Sequence, residues 1–134
     1  MEIKIIIPGE PTAKGRPRVI KKGFAFTPQK TENYEAYVKA LWIAKHGYTH
    51  ITEPIQVELN FYHSIPKSFS KAKKQMAKDE VLRPTKRPDM DNCIKAITDA
   101  LNEVAYADDS QIVGIVANRY YADMARVEIE IKTI

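Results

Sequence analysis

The sequence predicts an α+β fold, a single small domain over residues 1–134 in which a mixed β-sheet packs against helices. Three observations favour it: β-branched or alternating segments lie near both ends and in the middle of the chain, other segments have helical periodicity, and no repeat or linker divides them. A chain of 134 residues can bury a core without disulfide or metal staples, which suits a sequence whose one cysteine is Cys93.

The first half of the chain contains predicted strands, a hairpin and a helix. The β-branched run "EIKIII" (2–7) is predicted as a strand, and "VIKKGFAF" (19–26) as a short hairpin. A helix with Tyr34, Val38, Leu41 and Trp42 on its buried side is predicted from about residue 27 to residue 45. In "IQVELNFYHSI" (55–65) apolar and polar residues alternate, which predicts a strand with one face in the core.

The second half contains two predicted helices and two predicted strands. Residues 68–79 suit a short, very basic helix, although a solvated charged surface is an equally good interpretation of that composition. The segment 89–104 has the apolar spacing of an amphipathic helix. The last two segments, 111–122 and 124–134, are predicted as strands that form a hairpin around Asp123-Met124.

Charge is unevenly distributed along a chain whose net charge is +4. Positive residues concentrate in "KGRPRVIKKG" (14–23) and in residues 67–88, whereas acids concentrate between Asp89 and Asp109. A basic surface around an acidic centre suits an enzyme that acts on a phosphodiester. The histidines lie far from these acids in the sequence and no second cysteine exists, so the composition favours a carboxylate-bound hard cation over zinc.

The hydropathy of the chain predicts a cytoplasmic protein with no membrane association. No apolar run approaches the roughly 20 residues that a membrane-spanning helix needs. The opening stretch "MEIKIIIPGE" also lacks the profile of a signal peptide.

Two acids begin the predicted helix 89–104, within the stretch "RPDMDN" (87–92). One face of this helix is an apolar stripe formed by Ile94, Ile97, Leu101 and Val104. Asp91 and Lys95 fall on nearly the opposite face. An N-cap at Asp89, a favourable position of Asp91 in the helix dipole and an Asp91–Lys95 ion pair would each stabilise the helix by roughly 0.3 to 1 kcal/mol without any ligand. For each residue taken alone, this structural interpretation stays open.

A second acidic group, Asp108 and Asp109, follows that helix after a short connection. If the next strand lies beside the helix, this group returns towards Asp89 and Asp91, and carboxylates at such close range repel unless a cation neutralises them. Oxygen ligands of this kind suit Mg²⁺ or Mn²⁺, which can bind a phosphate oxygen and lower the pKa of a bound water. Lys95 would then lie at the rim of the site, where its charge can stabilise the pentacovalent phosphorane.

The stretch "RPDMDNCIKAITDALNEVAYADDSQI" closely resembles the signature of the RusA family of Holliday junction resolvases, including "DxDNxxKAxxDAL" and the later "DD". The similarity covers about residues 84–113, and "GEPTAKGRPR" (9–18) also looks like members of this family, though less specifically. The resemblance implies a small homodimeric, Mg²⁺-dependent endonuclease, often encoded in prophages, that cuts four-way DNA junctions symmetrically in recombination and repair.

By position, the resemblance assigns metal binding and catalysis to residues of that signature. Asp89, Asp91 and Asp109 match the metal-binding acids of the family, Asp108 precedes the third acid as a further candidate ligand, and Lys95 matches the essential lysine. A physical argument supports the implied dimer separately: resolution of a four-way junction needs two nicks at symmetry-related positions, and one small domain with one acid cluster has one site, so a C2 dimer supplies the two.

The two basic segments are expected to bind the DNA backbone with an affinity that falls as salt rises. The predicted DNA-binding residues are Lys14, Arg16, Arg18, Lys21, Lys22, Lys71, Lys73, Lys74, Lys86 and Arg87. Two alternatives remain open at this point. One is a non-catalytic module that binds branched or single-stranded DNA, in which the acids merely cap a helix. The other is a metal nuclease that acts on RNA or on other branched DNA, such as flaps.

Overall fold

A computed structural model describes residues 1–15, 18–19, 25–26 and 29–134, with the backbone alone at residues 18, 19, 25 and 26. The chain divides into two compact units. We call them the sheet unit, which comprises Met1–Pro11, Glu53–Arg87 and Ser110–Ile134, and the helix unit, which comprises Thr12–Thr52 and Pro88–Asp109. The single domain over residues 1–134 stays a prediction.

The elements of the described residues follow one another in the chain as strands and helices with a short 3-10 turn at Asp109–Gln111. In order they are β1 (Glu2–Pro8), β2 (Arg18–Val19), β3 (Ala25–Phe26), α1 (Gln29–His46), β4 (Ile55–Ser64), α2 (Lys71–Lys78), α3 (Met90–Leu101), β5 (Ile112–Ala122) and β6 (Arg126–Thr133).

A four-stranded mixed sheet with the strand order β1-β6-β4-β5 forms most of the sheet unit. Strand β6 is antiparallel to both β1 and β4, whereas β4 and β5 are parallel. Buried residues alternate with more exposed ones along β1, β4 and β6, so one face of the sheet is buried. Its buried apolar residues are Ile5, Ile7, Ile55, Val57, Leu59, Phe61, Val127, Ile129 and Ile131. The alternation predicted for β4 is therefore confirmed.

The predicted hairpin between the last two strands is wrong. Strand β4 lies between β5 and β6, so these two strands follow each other in the chain without pairing. Their connection crosses two strand spacings, about 9.5 Å, which three extended residues can span. β4 takes the central position because its alternate residues are buried along nearly its whole length, whereas β5 lies at the edge with Val113 64% exposed.

The basic segment of the sheet unit forms helix α2. Ser70 is its N-cap, and the Ser70 hydroxyl accepts a hydrogen bond from the backbone N–H of Lys73 at 3.2 Å. Ala77 is buried on the inner side of the helix. Just before the helix, the ring of Phe69 packs edge-on against Tyr121 of β5, with centroids 5.6 Å apart. The Ser70 cap, the burial of Ala77 and the contact between Phe69 and Tyr121 thus stabilise a helix that is otherwise rich in lysine.

Helices α1 and α3 contact each other in the helix unit. On α1, Val38 and Trp42 are fully buried, as predicted, while Tyr34 and Leu41 are partly buried. The indole N–H of Trp42 donates to the hydroxyl of Thr49 at 3.2 Å, which satisfies its one polar atom.

The short strands β2 and β3 pair antiparallel in the helix unit, as the hairpin predicted over residues 19–26 requires, and the residues of its turn lie outside the described residues. The predicted start of α1 at residues 27–28 lies outside the described residues. The α+β class with a mixed sheet is confirmed. Within the described ranges, no helix combines the length and the apolar character that crossing a membrane requires.

Candidate active site on helix α3

Helix α3 buries one face and leaves its polar face accessible. Its buried residues are Cys93, Ala96, Ile97, Ala100 and Leu101. The buried face is thus richer in small residues than the predicted stripe, and Ile94 of that stripe is only partly buried. Asp91, Lys95 and Asp99 follow one another at intervals of four residues, which places them along one side of the helix.

Asp89 occupies the N-cap position of α3 without using its carboxylate as a cap. Its backbone is extended, with φ −72° and ψ 148°, and its side chain makes no cap hydrogen bond. Its carbonyl oxygen accepts a bond from the backbone N–H of Cys93 at 3.1 Å. The exposed carboxylate of Asp89 is therefore not committed to the helix, which weakens the interpretation of this residue as a simple cap.

Lys95 forms its ion pair with Asp99 rather than with Asp91. The Lys95 Nζ lies 3.7 Å from Oδ2 of Asp99, one turn towards the carboxyl end of the helix. Among the described residues, Asp91 has no ion pair, and its side chain is exposed. The ion pair that would have explained Asp91 structurally is therefore absent from the described part of the chain.

Lys14, which precedes α1 in the chain, pairs with a carboxylate on this side of α3. Its Nζ lies 2.6 Å from Oε1 of Glu35 on α1 and 3.2 Å from Oδ2 of Asp99. Its backbone N–H donates to the carbonyl oxygen of Asn92 at 2.9 Å. Burial lowers the pKa of Lys14, but the bonds to Glu35 and Asp99 outweigh that effect and leave the pKa raised above its ordinary value.

The chain turns back along α3 after the helix ends. Glu103 has a positive φ of 65°, and the segment that follows bonds to residue Ile51, whose N–H donates to the carbonyl of Ala105 at 3.0 Å. The buried Tyr106 then donates its hydroxyl hydrogen to the carbonyl oxygen of Thr98 at 2.5 Å. The connection before Asp108-Asp109 therefore runs beside the second half of α3.

The second acidic group lies near Tyr106. Burial raises the pKa of the Tyr106 phenol, and the negative charges of Asp109, Asp99 and Asp108 raise the pKa further. Asp108 and Asp109 are both exposed, and Asp109 begins the 3-10 turn. The connection that leads to the acid pair therefore contacts α3 at Thr98, and the convergence of the pair with Asp89 and Asp91 stays a prediction.

The acids do not form a ready-made group of three ligands. In the described part of the chain, no three His, Cys, Asp or Glu side chains lie close enough together to hold a metal. Along α3 itself, Asp91 and Asp99 are eight residues apart, about 12 Å along the axis, so these two carboxylates do not converge. As a donor set, exposed carboxylates without thiolate or imidazole still fit a hard cation such as Mg²⁺ or Mn²⁺.

The predicted DNA-binding residues have different surroundings. Lys71, Lys73, Lys86 and Arg87 are exposed in the sheet unit, and Lys74 is partly exposed. Lys14, in contrast, is held in ion pairs within the helix unit. The remaining predicted residues, Arg16, Lys21 and Lys22, lie outside the described residues, and Arg18 is described by its backbone alone.

Sequence reasoning missed Asp99 as a member of the site. Its position four residues after Lys95 was a usable signal, since i, i+4 pairs lie on the same side of a helix. No signal in the sequence pointed to Glu35, because it lies on another helix and contacts the site through Lys14.

Several known proteins are similar to this chain. A family model described as "Endodeoxyribonuclease RusA" matches residues 8–132, a range that includes all the predicted site residues. The "Uncharacterized protein YqaN" of Bacillus subtilis (strain 168) is 39% identical over 137 residues, which cover 98% of this chain and 96% of that protein. The "Crossover junction endodeoxyribonuclease rusA" of Lactococcus phage r1t is 33% identical over 82 residues, which cover 60% of this chain and 56% of the phage protein.

Proposed function

Because this chain belongs to the RusA endodeoxyribonuclease family, we propose that it resolves four-way (Holliday) DNA junctions by paired symmetric nicks in a Mg²⁺-dependent reaction. Endonucleases of this family depend on a divalent metal and act on branched DNA. The observation that carries the proposal is the accessible side of α3, where the exposed carboxylates of Asp89 and Asp91 precede Lys95. The similarity to the phage crossover junction endodeoxyribonuclease supports a four-way junction as the substrate.

Carboxylates of the helix unit would hold the metal. We assign this role to Asp89, Asp91 and Asp109, with Asp108 as a further candidate ligand. When bound, the metal supplies positive charge to a phosphate oxygen and lowers the pKa of a water molecule. The carboxylates would orient that water, and their negative charges would repel other anions from its position.

Lys95 would stabilise the transition state of hydrolysis. The reaction forms a bond between a water oxygen and phosphorus and breaks one P–O ester bond, and the leaving oxygen takes up a proton. Negative charge builds on the two non-bridging oxygens as the water adds. The Lys95 side chain is 61% exposed, so its ammonium group is accessible to those oxygens. Removal of one such electrostatic contact costs roughly 10²–10³-fold in rate.

Resolution of a junction needs two nicks at symmetry-related phosphates. We therefore propose a C2 homodimer, which supplies two sites related in the same way as the two scissile phosphates. The exposed cations Lys71, Lys73, Lys86 and Arg87 support a role of the sheet unit in binding the DNA backbone. Action on DNA also makes the cytoplasm the expected location.

Junction cleavage tests the proposal. Synthetic four-way junction DNA, labelled on each strand in turn, is incubated with the wild type and with Asp91→Asn, with Mg²⁺, with Mn²⁺ and with a chelator. We expect nicks at symmetric positions in opposite strands for the wild type with metal, and a loss of at least roughly 10²-fold for Asp91→Asn. Asp123→Asn is the matched control, because Asp123 is an exposed aspartate in the connection between β5 and β6.

Other outcomes would identify the alternatives. Salt-sensitive junction binding without cleavage by any divalent ion would indicate a non-catalytic DNA-binding module. Faster cleavage of flap DNA, duplex DNA or RNA than of four-way junctions would indicate a metal nuclease with another substrate. Sedimentation of the free protein as a monomer, together with a monomer-to-junction stoichiometry of one, would contradict the homodimer.

A further inference from the structure

Four charged side chains form a continuous chain of ion pairs across the helix unit. Glu35 of α1 pairs with Lys14 at 2.6 Å, Lys14 pairs with Asp99 at 3.2 Å, and Asp99 pairs with Lys95 at 3.7 Å. The first three side chains are sheltered, with Glu35 21%, Lys14 18% and Asp99 24% exposed, whereas that of Lys95 is 61% exposed. The series of ion pairs thus begins at the sheltered Glu35 and ends at the accessible ammonium group of Lys95.

The sheltered end is anchored by backbone hydrogen bonds as well as by charge. The N–H of Lys14 donates to the carbonyl of Asn92 on α3, and the N–H of Gly15 donates to the hydroxyl of the buried Thr31 on α1 at 2.8 Å. Residues 14 and 15 are thereby tied to both helices. The position of the Lys14 ammonium group relative to α3 is accordingly fixed by more than its own side chain.

The two lysines share one carboxylate oxygen unequally. Oδ2 of Asp99 lies at hydrogen-bonding distance from Lys14 but 3.7 Å from Lys95, beyond the usual range of 2.7–3.2 Å for such bonds. Asp99 therefore attracts the Lys95 ammonium without occupying its N–H donors. Lys14 keeps that oxygen engaged, and its charge offsets part of the attraction between Asp99 and Lys95.

From this arrangement we infer that Asp99 and Lys14 are positioning residues, which hold the ammonium group of Lys95 over α3 while leaving its donors available to a phosphate. The inference rests on the proposed role of Lys95 in phosphodiester cleavage. A free lysine side chain loses rotamer entropy when it is fixed. The ion pair with Asp99 restricts the Lys95 side chain before the DNA binds. Loss of this restriction should lower the rate of the chemical step rather than the affinity for DNA.

Kinetics of the bound junction test the inference. Single-turnover cleavage with saturating protein reports the chemical step, and junction binding in the presence of a chelator reports affinity. We expect Asp99→Asn and Lys14→Met each to lower the single-turnover rate about tenfold and to change the dissociation constant less than about twofold. Both residues act on Lys95 through the same series of ion pairs. The double variant should therefore be no slower than the slower single variant.

Two further variants control for folding and for charge. Lys14→Arg keeps a cation between the two carboxylates and should restore most of the rate, which a general loss of stability at Lys14→Met would not predict. Lys132→Met is the matched control, because Lys132 of β6 also lies between two carboxylates, 3.4 Å from Glu2 and 3.3 Å from Glu130, and its removal should leave cleavage unchanged.

A measurement independent of cleavage separates this inference from the proposed function. In protein with ¹³C-labelled lysine side chains, NMR relaxation of the Lys95 ε-carbon should show a lower order parameter in Asp99→Asn than in the wild type. Unchanged Lys95 mobility would overturn the inference, as would equal losses of affinity and rate, or additive losses in the double variant. Failure of the wild type to cut any branched DNA would overturn the proposed function, while the relaxation result would still decide the positioning role.

Discussion

Lysines in two stretches of this chain differ in exposure and in pairing. In the helix unit, Lys14 is 18% exposed and lies between the carboxylates of Glu35 and Asp99. In the sheet unit, Lys71 and Lys73 of α2 are exposed, and Lys78 pairs with Asp123, which is itself 74% exposed. Similar composition thus produces a structural cation in one stretch and a cationic surface in the other. The number of positive residues therefore indicates the class of partner but not which residues contact it.

The largest expected effect is on DNA affinity, from the exposed cations. The triple variant Lys71→Ala, Lys73→Ala, Lys74→Ala should bind four-way junctions roughly tenfold to hundredfold more weakly, and its salt slope should fall by about 0.9 for each phosphate that the variant no longer neutralises. Its free energy of unfolding should change by less than about 0.5 kcal/mol, because Lys71 and Lys73 are exposed and Lys74 is partly exposed.

Binding titrations at several salt concentrations measure both the affinity and the salt slope, and urea unfolding measures the stability. The control removes the same number of exposed lysines outside the two basic segments, through Lys4→Ala, Lys39→Ala and Lys132→Ala. An equal decrease of affinity in the control would mean that α2 has no special role in binding.

A smaller effect is expected from Lys14, and on stability instead. Lys14→Met leaves Glu35 and Asp99 without their shared cation and should lower the free energy of unfolding by about 1–2 kcal/mol, between the values for exposed and buried pairs. Junction affinity should stay close to that of the wild type. A variant that binds DNA as weakly as the α2 triple variant would place Lys14 among the residues that bind phosphate.

The pH dependence of this contribution has a definite sign. Because the pKa of folded Lys14 is raised above its ordinary value of 10.5, the contribution is fully present below pH 10.5 and is lost as pH rises through the folded-state pKa. The stability difference between the wild type and Lys14→Met should therefore shrink above about pH 10.5. Thermal unfolding at a series of alkaline pH values measures it, and a difference that grows with pH would contradict the assignment.

The smallest expected effect is on the helix that carries the exposed cations. Ser70→Ala removes the hydroxyl that caps α2 and should destabilise the protein by about 1 kcal/mol. Ser68→Ala, at an exposed serine two residues earlier, is the control and should be nearly neutral. If α2 must be helical to present its lysines, affinity should fall slightly in Ser70→Ala alone, and equal effects of the two variants would contradict the capping role.

Elements defined by local pattern were predicted well from the sequence. The alternation in β4, the buried positions Val38 and Trp42 in α1, and the helical spacing of α3 all depend on neighbours within a few residues. Sheet order was not predictable in the same way. The expected hairpin of the last two strands was wrong because β4, distant in sequence, lies between them.

The candidate site shows the same division. Its acids and its lysine were identified from their types and spacing, and their roles as metal ligands and catalyst remain predictions. The partner of Lys95 could not be chosen from the sequence, because Asp91 and Asp99 are equally spaced from it on the helix. The internal pairing of Lys14 was also out of reach, since it depends on Glu35 of another helix.

By itself, the sequence determined the fold class, the strands and helices with clear periodicity, and the motif that identifies the family, because each is written in short-range order along the chain. Tertiary structure alone decided which strand is central, which lysine is sheltered and which aspartate Lys95 contacts. These features depend on contacts between residues far apart in the chain, where local propensity has no influence and packing and electrostatics select the partners.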